Sequence, residues 1–343
     1  MDPIGVVSNP HSKKNRRDPR RVERLRRIVG DAGEIMETRE LGELRPTLRR
    51  LLSDGATLLV SDGGDGALHW MHNELLAMKA AGELGDEALP SVLPTNGGTI
   101  DFVARKAGIR GGAESILGAL MQMRARGRRP PIVHLESLRI DGSRRTTQGE
   151  SRSFERVGFA MAAGGVGQRF FDKYYASAEP GAGTILSIVA KASSSQLLRS
   201  LGIAAPSSLR DYSRQIFEPT RARVRIDGLE LVSRRHGALH AGAFDVQLGG
   251  VFRVFPLART PGRMHFQAGE ISPWQIIRNL PRLAAGEPIE APRMHEAAGE
   301  EMRIEAEGEE LLCPVVDGEI LRDVERLRVR RGPAVRIAQV AAS

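Results

Sequence analysis

An apolar strand that runs straight into a glycine-rich turn and then a helix limits this chain more than any other feature. Leu58-Leu59-Val60-Ser61-Asp62-Gly63-Gly64-Asp65-Gly66 predicts a strand over Thr57 to Val60 and a tight loop over Ser61 to Gly66. A helix follows from Ala67 to Ala81, with Leu68, Met71, Leu75 and Met78 on one face. The same order recurs around it. Gly5-Val6-Val7 predicts a buried strand ending at Ser8-Asn9-Pro10, then a basic helix from Asp18 to about Val29. Glu34 to Thr38 predicts a short strand, and Leu44 to Leu52 has helical spacing. Ser91-Val92-Leu93-Pro94 predicts a further strand, then a second glycine-rich loop and a helix around Asp101 to Lys106. Strands and helices that alternate in this way imply a parallel sheet with helices on both faces.

The pattern changes after Arg129-Pro130-Pro131. Ile132 to Leu135, Glu136 to Ile140, Phe154 to Ala162, Ala222 to Ile226, Ala243 to Leu248 and Phe252 to Phe255 predict strands. Asp141-Gly142, Asp227-Gly228 and Gly249-Gly250 are turn signals between several of them. Helices are expected near Ile185 to Leu201 and near Ser272 to Leu280. The reading is two domains, an α/β domain over 1–130 and a mainly-β domain over 131–343, with the last segment expected to pack back on the first domain.

Cores should be aliphatic, because only 4% of residues are aromatic against 41% hydrophobic. Cys313 is the single cysteine, so no intrachain disulfide forms, and a cytoplasmic location is expected. Met1 to Pro10 lacks the order of a signal peptide. No apolar run approaches the roughly 20 residues that span a bilayer, so a membrane role would be peripheral, on the inner face. The net charge is +8. Basic clusters from Lys13 to Arg27 and at Arg124, Arg126, Arg128 and Arg129 suit anionic lipid heads, nucleotides or nucleic acid. A solvated helix face explains them equally well.

Glycines let a backbone turn at positive φ and approach a ligand closely. A helix start offers free N–H groups and the positive end of a dipole, so strand, glycine loop and helix together form a phosphate cradle. Asp65 could hold a metal ion there or orient phosphates. The loop is neither a P-loop nor the dinucleotide fingerprint, and alone it reads equally as a tight βα turn. The second loop, Pro94-Thr95-Asn96-Gly97-Gly98-Thr99-Ile100-Asp101-Phe102, strengthens the ligand reading. Two such loops emerge at the same carboxyl edge of a parallel sheet, where ligands bind in open α/β sheets. The Gly98 and Thr99 amides and the Thr99 hydroxyl could grip a second part of a nucleotide.

At these residues the chain resembles the diacylglycerol kinase catalytic family, which includes bacterial lipid kinases and sphingosine kinases. Val7 to Ser12 resembles the family's opening strand and Asn-Pro turn. Gly63-Gly64-Asp65-Gly66 resembles its Gly-Gly-Asp-Gly-Thr loop, with Asn73 in the helix beyond. Gly98-Thr99 with Ala104-Arg105 resembles its second loop. Gly165-Val166-Gly167 resembles a glycine-rich turn of the β domain, and Gly249-Gly250 and Pro256-Leu257-Ala258 its later strands. Asp317-Gly318-Glu319 resembles the closing Asp-Gly-Glu, a tripeptide that reads locally as a plain β-turn.

The resemblance implies a Rossmann-like nucleotide domain, a β-sandwich lipid domain, and transfer of the ATP γ-phosphoryl group to a diacylglycerol- or sphingoid-type hydroxyl with Mg2+. It implies that Asn9, Thr38, Gly63, Gly64, Asp65, Gly66, Ala67, Leu68, His69, Gly98 and Thr99 bind ATP. It implies Glu319 as general base, with Asp65 as the second catalytic residue. A homodimer stays open, since relatives of this kind often dimerise.

The chain also departs from the family pattern. Ala67 stands where the family has Thr, Trp70 where Glu is usual, and Asp101 where Asn is usual. Pro261 stands where bacterial lipid kinases carry an Asp that ligates structural magnesium. The alternatives are a relative that binds nucleotide or lipid without transferring phosphate, and an NAD-type kinase; nucleic acid is not the expected partner. His69 with His72, and His236 with His240, lack the further ligand a zinc site needs and read as surface or supporting histidines. Ser193-Ser194-Ser195 reads as a helix start or loop.

Overall fold

The structure, a computed structural model, describes residues 2–18, 20–85, 89–177, 180–248 and 250–341. The chain divides into two compact units, Met1–Leu135 with Ala334–Ser343, and Glu136–Pro333.

The first unit is the expected α/β layer structure. Its strands are β1 (Ile4–Ser8), β2 (Gly33–Glu37), β3 (Leu58–Asp62), β4 (Ser91–Pro94) and β5 (Ile132–Leu135). Its helices are α1 (Lys13–Arg16), α2 (Arg21–Val29), α3 (Leu41–Ser53), α4 (Asp65–Ala80), α5 (Phe102–Lys106) and α6 (Ala113–Ala125). The sheet order is β2-β1-β3-β4, then the C-terminal strand Val335–Ala338, then β5. β1 to β4 pair in parallel. The C-terminal strand joins β4 in parallel and β5 antiparallel, so the sheet is mixed.

All five residues of β1 and of β3 are buried, which is why both open on consecutive apolar residues rather than on alternation, with Ser8, Ser61 and Asp62 buried at their carboxyl ends. Leu25, Leu48, Leu75, Leu93 and Ile116 are fully buried with them, giving the aliphatic core that the low aromatic content required. The basic helix expected from Asp18 to about Val29 is α2, and α1 is a further short helix ahead of it.

The second unit is antiparallel. β6 (Leu138–Arg145), β7 (Ser151–Gly158), β9 (Thr220–Ile226), β10 (Leu229–Glu230), β11 (Arg235–His236), β17 (Glu301–Ala306) and β20 (Val324–Arg331) form one sheet. β8 (Ala160–Gly164), β12 (Ala238–Gly242), β15 (Met264–Glu270), β16 (Arg293–Gly299), β18 (Val315–Val316) and β19 (Glu319–Ile320) form the other, and β13 (Val246–Leu248) pairs β14 (Phe252–Val254). Its helices are α7 (Gly165–Tyr175), α8 (Ala182–Ser200), α9 (Ser207–Ile216) and α10 (Pro273–Ala285). β9 alternates buried with exposed side chains, so one face is solvated. β12 and β15 are buried along nearly their whole length, and α7 packs on β8 and β12.

Four sequence expectations are corrected in this unit. Phe154 to Ala162 is two strands in two sheets, because the chain changes sheets at Phe159. The Phe159 and Ala160 amides there donate to the Asp317 carboxylate at 2.9 Å. Asp141-Gly142 is not a turn but the middle of β6, paired on both sides. A Cβ on Gly142 would lie 2.6 Å from the Arg326 carbonyl oxygen and 2.7 Å from the Phe154 ring, so this glycine serves close strand packing. Gly165-Val166-Gly167 is the start of α7 rather than a turn, with Gly165 at φ 66. Ser193-Ser194-Ser195 is mid-helix in α8, where the Ser194 hydroxyl donates to the Ala190 carbonyl at 2.7 Å. Asp227-Gly228 is the expected two-residue hairpin, with both residues at positive φ. Gly249, of the Gly249-Gly250 pair, lies outside the described residues.

Candidate active site

The carboxyl ends of β1, β3 and β4 are welded by one buried carboxylate. Asp62 is fully buried. It accepts the Ser8 hydroxyl at 2.7 Å and the Thr95 hydroxyl at 2.8 Å, and the Arg21 guanidinium pairs with it. The Asn15 amide donates to the Asp62 carbonyl at 3.1 Å and to the Asn9 carbonyl at 2.8 Å. Arg21, Leu25 and Val29 form the buried stripe of α2, so part of the N-terminal basic run points inward rather than to solvent. Arg24 likewise pairs with Asp18 and Glu114, and these two carboxylates raise its pKa above the ordinary arginine value. The sequence reading missed Asp62 and Arg21. The available signal was an arginine at the helical spacing of two apolar residues.

From this weld the two glycine loops spring, and they touch backbone to backbone. The Gly97 amide donates to the Gly63 carbonyl at 2.8 Å. A Cβ on Gly64 would lie 2.6 Å from the Gly98 Cα. Neither loop tolerates a side chain at this crossing, since backbone cannot swing away as a flexible side chain can.

Asp65 ties the loops further. Its two carboxylate oxygens accept the Phe102 and Val103 amides at 3.1 and 3.2 Å. These are the first two amides of α5, whose own N-cap, Asp101, is left-handed at φ 52 and gives no side-chain cap. Asp65 therefore caps α5 from another helix, satisfying donors a helix start leaves orphaned. The Gly98 amide is also engaged, donating to the Asp101 carboxylate at 2.8 Å. Burial pushes the Asp101 carboxyl above its usual range, against the pull of the Lys14 ammonium 3.7 Å away.

The start of α4 is different. Gly64, its N-cap, has no side chain to cap it. The Gly66 and Ala67 amides have no acceptor among the described residues, whereas the Leu68 amide is spent on the Gly64 carbonyl at 3.2 Å. Gly64 to Ala67 are half-buried. Of the two helix starts, α4 thus presents open amides at the positive end of a 16-residue helix, while the α5 start is plugged.

The other expected nucleotide residues fall around this edge. The Asn9 side chain closes its own turn by accepting the His11 amide at 2.9 Å, and the Thr38 amide donates to the Ser8 carbonyl at 3.0 Å. Thr38 and Thr99 are half-buried, and their hydroxyls have no partner among the described residues. Leu68 and His69 turn their side chains into the core, at 1% and 2% exposure. His72, His236 and His240 are buried as well, which corrects the surface reading of these histidines. Burial, with His69 nearby, pushes the His72 pKa down to about 4.

The residues do not build a protein cage for Mg2+. Asp62 is saturated by its partners and both Asp65 oxygens are engaged. No group of three or more His, Cys, Asp or Glu suited to a metal occurs among the described residues. They fit a metal carried on nucleotide phosphates, the usual mode for Mg2+.

Glu319 lies in the second unit. Asp317 at φ 50 and Gly318 at φ 96 form a two-residue turn between β18 and β19, so the tripeptide is locally the hairpin its composition suggested. Asp317 is buried and occupied by the Phe159 and Ala160 amides. Glu319 is half-buried, and its carboxylate has no hydrogen bond or ion pair among the described residues. The same hairpin lies close to the end of α7, since a Cβ on Gly318 would meet the Tyr175 hydroxyl at 2.5 Å.

Comparison with known proteins agrees with this architecture. The chain matches a candidate diacylglycerol kinase structure from Bacillus anthracis str. Sterne with a TM-score of 0.64 at 15% identity, covering 99% of this chain and 98% of that one. A second diacylglycerol kinase structure from the same organism matches with a TM-score of 0.56 at 13% identity, covering 99% and 97%. At these identities the likeness speaks for the fold, over both units. No curated protein sequence matches the chain. The diacylglycerol kinase catalytic domain family matches residues 3–130, which hold both glycine loops and the Asp62 weld, so the similarity to that family falls on the first unit.

Proposed function

We propose that the chain is an ATP-dependent lipid kinase that moves the γ-phosphoryl group of ATP to the hydroxyl of a diacylglycerol- or sphingoid-type lipid at a membrane surface. The observation that carries this reading is the catalytic-domain match lying over a helix start with open amides. ATP phosphates seat on the Gly63–Ala67 loop, where the Gly66 and Ala67 amides and the α4 dipole hold negative charge. Bound with the nucleotide, Mg2+ would supply charge neutralisation on the phosphates, beside the loop that Gly63–Ala67 forms. Thr38 and Thr99 offer hydroxyl donors, and Asn9, Gly98 and the backbone of Leu68 and His69 shape the edge.

Asp65 serves by holding the second loop against the first. Glu319, carried over from the family pattern and without a hydrogen bond or ion pair among the described residues, takes the proton of the lipid hydroxyl. The lipid oxygen forms its bond to the γ-phosphorus as the bond to the ADP oxygen breaks.

The test is transfer of labelled γ-phosphate from ATP, with Mg2+, to lipids in mixed vesicles. The expected result is a labelled lipid with wild-type protein and at least a hundredfold loss with Glu319→Gln. Label on NAD with none on lipid would replace this reading with a small-molecule kinase. No transfer to either, with ATP still bound, would make the chain a non-transferring relative.

A further inference from the structure

An amphipathic helix on a folded unit is expected to bury one face and wet the other. α8 does not follow this rule. Ile185, Ile188, Ala192 and Ser195 form its buried face. On the opposite side Leu186, Ala190 and Leu197 are exposed, continued past the helix end by Leu201. At about 100° per residue these four positions fall within a stripe roughly 60° wide. Leu186 is 50% exposed, Leu197 53%, Leu201 65%, and nearby Ile203 53%. Scattered surface leucines need no explanation, but a continuous stripe marks an interaction surface.

The charge around the stripe identifies its partner. Helix α8 carries no Asp or Glu, and Lys191 gives it a positive charge. Lys191 is exposed on the flank of the stripe. An apolar stripe with an exposed lysine beside it, on a helix that has no acidic residue of its own, is the composition of a helix that lies in the headgroup region of an anionic bilayer. A second copy of this chain is a poorer occupant, since a two-fold contact would set like charges against each other. No helix among the described residues is long and apolar enough to cross a membrane, so contact through α8 would be in the plane of the surface.

We infer that the outer face of α8, through Leu186, Leu197 and Leu201 with Lys191 alongside, docks the protein on an anionic lipid surface. The inference rests on the lipid-kinase reading for its purpose and deepens it by naming the surface that delivers the enzyme to its substrate.

The test is retention of the full chain on phosphatidylcholine vesicles containing phosphatidylglycerol, against phosphatidylcholine alone. Leu186→Gln with Leu197→Gln should lower retention about tenfold or more, as two leucine side chains leave an apolar phase. Lys191→Gln should lower it about fivefold, the share of one basic residue at an anionic surface. Both variants change exposed positions, so their melting curves should match wild type. Phosphorylation of diacylglycerol in vesicles should fall with retention, while turnover of a water-soluble short-chain diacylglycerol stays at the wild-type rate.

Wild-type retention by the double leucine variant would overturn the docking surface, whatever the kinase assay gives. So would a lipid-free dimer that the same variant dissociates, for the stripe would then be a self-contact. Leucine-dependent retention without lipid phosphorylation would uphold the docking surface and remove the kinase reading.

Discussion

Replacing Asp65 separates a residue that builds the site from one that only acts in it. In the structure both carboxylate oxygens are engaged by the first two amides of α5, at 3.1 and 3.2 Å. Asp65→Ala leaves those donors without an acceptor in a half-buried setting. Loss of a capping carboxylate costs about 0.5–2 kcal/mol, and an orphaned buried donor about 1–3 kcal/mol. With two amides affected, about 2–4 kcal/mol is expected. For a unit of this size that lowers the melting temperature by roughly 6–15 °C. Asp65→Asn keeps one acceptor oxygen and should lose about half as much. The assay is thermal unfolding without nucleotide, followed by calorimetric titration with MgATP at a temperature where every variant is folded. A residue whose work is confined to metal or phosphate would leave the nucleotide-free melting curve unchanged. If Asp65→Ala melts within a degree or so of wild type, the clasp between the loops is not what this carboxylate provides.

Three further outcomes follow from the same geometry. Arg21→Ala strands the buried Asp62 carboxylate and should destabilise the first unit by about 3–5 kcal/mol, measured by urea unfolding; a change below 1 kcal/mol on that scale would show that the weld is not held by this pair. His72 has a folded pKa of about 4 against an ordinary value of 6.5, so the unfolded chain binds its proton first. Stability should be full above about pH 6.5 and fall by roughly 3 kcal/mol as pH drops to about 4; His72→Gln should flatten that limb of the pH–stability curve, and an unchanged limb would refute the assignment. Asp317→Ala should lower the melting temperature of the second unit by removing the acceptor of the Phe159 and Ala160 amides. Glu319→Gln, two residues away, should leave melting unchanged while phosphate transfer is lost, and equal destabilisation by both would assign Glu319 to structure.

The fold class was legible because each half of the chain obeys one rule of pattern. Buried parallel strands such as Leu58–Asp62 open on an apolar run, here Leu58-Leu59-Val60, and the glycine turns between strand and helix mark where they end. Asp227-Gly228 was readable because a two-residue hairpin needs positive φ at both positions. Asp141-Gly142 has the same letters and lies inside a strand, since what selects glycine there is the neighbouring Phe154 ring and Arg326 carbonyl, which no local pattern reveals. The open amides of α4 could be expected from its glycine-rich start. The plugging of α5 could not, because its cap comes from Asp65, 37 positions away. Arg21 was hidden for a similar reason. Within a run of basic residues, only the four-residue spacing to Leu25 and Val29 marks the arginine that turns inward, and nothing local names Asp62 as its partner.

Amide hydrogen exchange of the whole protein, with and without MgATP, tests most directly whether the first glycine loop is the phosphate cradle. Nucleotide should slow exchange at Gly66 and Ala67, whose amides are open, and leave Phe102 and Val103, already bonded to Asp65, close to their nucleotide-free rates. Protection that appears at Phe102 and Val103 and passes over Gly66 and Ala67 would place the phosphates elsewhere.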